Sequence, residues 1–235
     1  MSENKTGKYL KYAIGEILLV VIGILIALAI NNKNEARKDE ITSKQYLEGI
    51  KKDLQNDLVQ TERALKQISY DLSVVTSIDS TLYDLHANRS EGINQLFTNP
   101  NQMTPDTIYI ESLFYRNRSF RSVNGTYKSL IADGKSGLVK NKDLSQKVQA
   151  IYDGEYQRLA STYESIKAIE QKINWAYPIE IRKWSYSDLM EAKDEKIFYD
   201  VMRLVEEKGF YAGNLVRTKN AINEVVVLIN DELEK

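Results

Sequence analysis

From Ala13 to Ile30 the chain reads AIGEILLVVIGILIALAI, an apolar run interrupted by one charge, Glu16. As an α-helix this segment spans about 27 Å, close to the hydrocarbon thickness of a bilayer. Such a segment has three fates: burial in protein, passage across a membrane, or removal as a signal peptide. Lys5, Lys8 and Lys11 precede it, and Lys33, Arg37, Lys38 and Lys44 follow. A signal peptidase would cut at Ala27-Leu28-Ala29, but apolar sequence runs on through Ile30 and nothing breaks the helix before that site. We read a retained single-pass anchor. The lysines and arginines are too evenly divided between the flanks to set orientation. A tail of residues 1–12 is easily kept inside, so the expected arrangement is residues 1–12 in the cytoplasm, 13–30 across the inner (cytoplasmic) membrane and 31–235 in the periplasm.

The chain has 32 basic and 33 acidic residues, and no cysteine. Residues 1–38 hold six basic and three acidic side chains, which leaves 26 against 30 for the remainder. A net charge of −4 by that subtraction is no footprint for nucleic acid, which needs a concentrated basic surface. Without cysteine there is neither a disulfide nor thiolate chemistry.

Beyond the anchor the pattern is helical throughout. Leu47, Ile50, Leu54, Leu58, Leu65, Ile68, Leu72, Val75, Leu82 and Leu85 recur at steps of three and four or their sums, the mark of one long amphipathic helix over 35–86. It is expected to run on from the membrane helix, with Gly49 the weak point. Residues 87–140 read as a loop and short helices, one of them ending at Gly134. A second long helix over 141–174 starts at Asn141 or Asp143 and buries Leu144, Val148, Ile151, Leu159, Tyr163, Ile166 and Ile173. An aromatic connection follows, then C-terminal helices over 194–235, one closing at Gly209 and the next carrying Leu215, Ile222, Val226, Ile229 and Leu233. The expected fold is all-α: an N-terminal transmembrane helix followed by an elongated bundle of long antiparallel helices.

Two segments resemble known proteins. KYAIGEILLVVIGILIALAINNKNEARK is similar to the opening of a large family of uncharacterised bacterial single-anchor membrane proteins, whose N-termini read GEI, VVIGILIAL, INN and NE before basic residues. Where those proteins commonly carry tryptophan, this chain has Lys33. NGTYKSLIADGKSGLVKNKDLSQKVQAIYDGEY, over 124–156, resembles a helix, glycine turn, helix pattern ending in tyrosines. Together they cover roughly a quarter of the chain. The resemblance implies a retained anchor and an envelope location. It brings no activity.

Few residues invite chemistry. Gly134-Lys135-Ser136 lacks the glycine a phosphate loop needs at position 129, which is Ser129, and reads as a helix end. His86 is the lone histidine, too few for a multi-histidine zinc site. No catalytic residue, metal ligand or cofactor is expected. Glu16 shares a helix face with Gly23 and Ala27, and Gly15 stands beside it. Small residues admit a neighbouring helix and the carboxyl can bond across, or Glu16 simply snorkels to water near Lys11. Arg116, Arg118 and Arg121, set among Phe114, Tyr115 and Phe120, suit an anion or acidic partner, or a plain amphipathic segment. Trp175, Tyr177, Trp184 and Tyr186 suit a membrane surface if the second long helix returns toward the anchor, or else a bundle corner.

The leading expectation is a non-enzymatic, membrane-anchored scaffold or accessory protein. Its partners are the lipid bilayer and either a second protein or further copies of itself, with no nucleic acid and no small-molecule ligand. A periplasmic ligand-sensing bundle that signals through a membrane partner is the alternative, and a carboxylate-based hydrolase comes third.

Overall fold

The computed structural model describes residues 5–78, 111–114 and 120–235. Among the described residues helix dominates and there is no β-strand. They divide into two units, Met1–Tyr46 and Leu47–Lys235. Helix α1 spans Lys5–Ile78 without a break, as a stretch free of proline allows. In the first unit its apolar side chains from Ile14 to Ile30 are all exposed. Among the described residues α1 is the one helix long and apolar enough to cross a membrane, and none of its most apolar stretch is buried.

The second unit adds α2 (Glu111–Phe114), α3 (Gly125–Ala132), α4 (Lys142–Ala150), α5 (Tyr156–Ala176), α6 (Tyr186–Glu191) and α7 (Lys196–Leu233). Several boundaries follow from local chemistry. The Asn141 side chain accepts the Leu144 N–H and caps α4, satisfying a donor that the first helical turn leaves free. At the end of α3 the Gly134 N–H reaches Ile131 O and the Lys135 N–H reaches Leu130 O, with Gly134 at φ 65°. That pair of bonds closes the helix as a Schellman motif and needs glycine for the left-handed turn. Ser185 and Asp188 cap α6 reciprocally.

Burial along α1 falls on Leu47, Ile50, Leu54, Asp57, Thr61, Ala64 and Ile68 at alternating steps of three and four, with Leu65 buried beside Ala64. Helix α7 buries the same spacing from Ile197 to Ile229. Each buried leucine or isoleucine contributes about 1.5–3 kcal/mol. The expected break at Gly209 is absent: α7 runs through it. Val205, Tyr211, Ala212 and Leu215 keep the buried stripe continuous on both sides, and that packing outweighs a glycine's helix cost of about 1 kcal/mol.

Between α4 and α5 lies one π-helical segment, Ile151–Glu155. Its cause is legible in the burial pattern. Leu144, Val148 and Ile151 keep one phase of the three-four spacing, while Tyr152, Tyr156, Leu159, Ile166, Glu170 and Ile173 keep another, displaced by one residue. A π turn takes up one extra residue, so both stripes face the same core.

The polar contacts give the direction of each long helix. Lys51 Nζ donates to Asn230 Oδ1 at 3.1 Å, and Lys219 pairs with Glu62 at 3.0 Å, so α7 is antiparallel to α1. Asn141 meets Glu232, Arg217 meets Glu155, Asn214 meets Thr162 and Lys172 meets Asp200. Helix α7 is therefore antiparallel to α4–α5 as well. This corrects one expectation: the second long helix does not return along α1 but runs parallel to it, and α7 makes the return.

Candidate functional site

Asp57 and Thr61 occupy two successive seam positions of α1, and both are wholly inaccessible to solvent. A carboxylate at such a position must find donors or neutralise. Asp57 finds two. Its Oδ1 accepts the Val123 N–H at 2.8 Å, and its Oδ2 accepts the Tyr156 hydroxyl at 2.6 Å. Thr61 turns its hydroxyl back to Asp57 O. One turn earlier Asp53 accepts the Thr126 N–H at 3.1 Å, stabilising the first turn of α3, where an anion is favoured.

Aromatic side chains wall the site. Tyr127 stacks on Tyr152 with centroids 4.4 Å apart, Tyr152 meets Tyr156 edge-on, and Phe120 leans on Tyr156 at 5.0 Å. The Tyr127 hydroxyl donates to Asp153, and the Tyr211 hydroxyl accepts the Phe120 N–H. Among the described residues the buried Tyr152 hydroxyl has no hydrogen-bond partner. The π turn is what sets Tyr152 and Tyr156 toward Asp57 while leaving Asp153 for Tyr127. Burial lifts the Asp57 carboxyl to about 6; the Tyr156 and Val123 bonds oppose the shift and Asp53 adds to it. Burial and the neighbouring carboxylates push the Tyr152 and Tyr156 hydroxyls up, so both stay protonated and Tyr156 remains a donor to Asp57. Among the described residues no cation pairs with Asp57, and no three His, Cys, Asp or Glu side chains are grouped to hold a metal ion.

The residues singled out in sequence are scattered. Gly15, Glu16, Gly23 and Ala27 stand on the uncovered part of α1, and an added Cβ at Gly15 or Gly23 would meet nothing within 4 Å. Arg116, Arg118 and His86 lie outside the described residues, and Arg121 is exposed. Phe114 is buried under the Arg182 guanidinium, and Phe120 packs on Tyr156, so these rings serve the core. Trp175 is 91 % exposed and Trp184 half-buried; of Tyr186 only the backbone is described. The Tyr177 hydroxyl donates to Asp200 at 2.7 Å, beside Lys172 and Lys196. Within its unit α5 runs away from the Leu47 end, so α5 is not itself a returning helix.

Asp57, Tyr152 and Tyr156 were missed because a leucine, Leu58, takes the place of Asp57 in the apolar list. Strict three-four spacing from Leu47 would have named position 57, and an acid at a seam position is the signal.

The fold is thus that of an all-α protein with, among the described residues, one candidate membrane-spanning helix and a helical bundle whose seam holds a carboxylate. The chain belongs to a family of unknown function (DUF6090), whose model matches residues 16–176. That range takes in nearly all of the apolar segment and the whole of the tyrosine-rich one, and ends with α5. No curated protein and no solved structure matches the chain.

Proposed function

We propose that this protein is a single-pass inner-membrane protein of the bacterial envelope whose helical domain faces the periplasm and works by protein association. It serves there as an accessory subunit or as a homo-oligomer, in a binding role rather than a catalytic one. One observation carries the reading: among the described residues none of the most apolar stretch of α1 is buried. Exposed apolar surface on that scale calls for lipid or another protein, and Gly23, Ala27 and Glu16 offer a face on which a second helix can pack.

The test is extraction of the full-length protein from its own membranes in mild detergent, with mass and composition determined. A stoichiometric second protein or a defined homo-oligomer is the expected result, and a lone monomer would remove the association. Glu16→Leu is expected to weaken the assembly several-fold; unchanged oligomer size and partner recovery would remove the role given to that carboxyl. Reporter fusions at either end of the chain test the orientation.

A further inference from the structure

Two hydroxyls of the second unit, those of Tyr152 and Thr218, are buried with no hydrogen-bond partner among the described residues. Tyr152 is 7 % exposed and Thr218 0 %. Leaving such groups unbonded costs folding free energy, and ordered water is the usual remedy. Both belong to one stretch of the seam. Arg217 pairs with Glu155 and Lys219 with Glu62. Thr218, between those two cations, therefore stands on α7 level with Tyr156 on α5 and Thr61 on α1, and all three are buried. Asp57, one turn before Thr61, holds the Tyr156 hydroxyl. Tyr152 meets the Tyr156 ring edge-on with centroids 5.3 Å apart, and its hydroxyl feels the Asp53 and Asp57 carboxylates. Thr61 satisfies its hydroxyl on its own helix, at Asp57 O. Thr218 makes no such bond, so its hydroxyl is aimed off α7 and into this polar layer.

We propose that the layer formed by Asp57, Thr61, Tyr152, Tyr156 and Thr218 is an internal water site, in which bound water accepts from the Tyr152 and Thr218 hydroxyls and donates to the Asp57 carboxylate. The polar partners are sufficient. A buried water takes about two to four hydrogen bonds. Asp57 accepts two bonds from the protein, and an ionised carboxylate has about four lone-pair sites. The hydroxyl hydrogens decide between water and a cation. A cation would take the oxygens and leave both O–H groups without an acceptor, whereas water accepts from a hydroxyl and donates to a carboxylate in the same place. Among the described residues no trio of His, Cys, Asp or Glu is grouped for a metal ion either. Water thus joins α1, the π turn and α7 through groups that do not bond one another directly.

The experiment has two arms, both on the full-length protein in detergent. In the first, Thr218→Val and Tyr152→Phe remove the two hydroxyls with little change of shape, and chemical denaturation reads the midpoint. In a dry layer each change relieves an unbonded group and raises the midpoint. In a wet one each deprives shared water of a partner and lowers it, and the double variant loses less than the sum of the two singles. Lowered, non-additive midpoints are the expected result; raised midpoints or additive losses would overturn the proposal. The second arm is a crystal structure at a resolution that shows ordered water, and it decides alone should a variant fail to fold. Density for water within hydrogen-bond distance of Asp57 and of the Tyr152 or Thr218 hydroxyl is expected. A dry layer in a map that shows other buried waters, or a peak with a cation's short oxygen distances, would overturn it.

Discussion

Thr126 sets its methyl group where a side chain on Gly49 would stand: an added Cβ would come within 2.6 Å of Thr126 Cγ2 and 3.4 Å of its Cβ. The glycine that looks like a flaw in a long helix is the notch that admits the first turn of α3, and Asp53, one turn on, takes the Thr126 N–H. Gly49→Ala gains about 1 kcal/mol of helix propensity but incurs about 1–3 kcal/mol of overpacking. Net destabilisation of about 1 kcal/mol is expected by chemical denaturation. In a Thr126→Ala background, which removes the two nearest atoms, the same change should become neutral or stabilising. A Gly49→Ala penalty that persists there would disprove the notch. At this scale the sequence is read best where one residue decides the outcome by itself, as with the Asn141 cap and the Gly134 turn. It is read worst where the outcome depends on distant partners. Nothing near Asp57 announces that Val123 and Tyr156, 66 and 99 residues away, supply its hydrogen bonds.

At the level of elements, periodicity told most of the story, and its phase jump was informative. The stripes of α1, α4 and α5 were legible because apolar side chains repeat at the helical interval, and α7 was legible in its second half. Helix direction was not, since parallel and antiparallel neighbours need the same stripe. The phase jump between Ile151 and Tyr152 makes a prediction of its own. Deleting a residue from an ordinary helix rotates everything beyond it by about 100°. Deleting Gly154 should instead turn the π segment into α-helix and leave both stripes on the core. The Gly154 deletion is expected to keep a cooperative thermal transition, whereas deletion of Ala160, an exposed residue inside α5, should lose it. Equal damage from both would show that the π turn does not absorb the extra residue.

For the whole molecule Asp57 and Asp200, both buried, pull stability in opposite directions with pH. Burial pushes Asp200 up, but the Tyr177 hydroxyl and the lysines Lys172 and Lys196 outweigh it and hold the carboxyl below its ordinary value. Its contribution is therefore present above the ordinary carboxylate range and is lost as pH falls through its lowered value. Asp57 is raised to about 6, so its contribution grows as pH falls toward 4 and shrinks above 6. Thermal stability should pass through a maximum in the mildly acidic range. In Asp57→Asn the neutral side of that maximum should flatten while the acid side stays. A profile that rises monotonically to pH 8 in the wild type would contradict this assignment.

The pairing of Lys51 with Asn230 spans 179 positions of sequence. Ribosomes add about 5–20 residues per second, so α1 emerges roughly 10–40 s before the helix that completes its seam. During that interval Leu47, Ile50 and Leu54 have no native cover from α7, and a newly made chain needs either a chaperone or a neighbouring copy to shield them. Truncated products that lose α7 would carry that bare stripe permanently, which makes an intact C-terminus a condition for the chain's survival after synthesis.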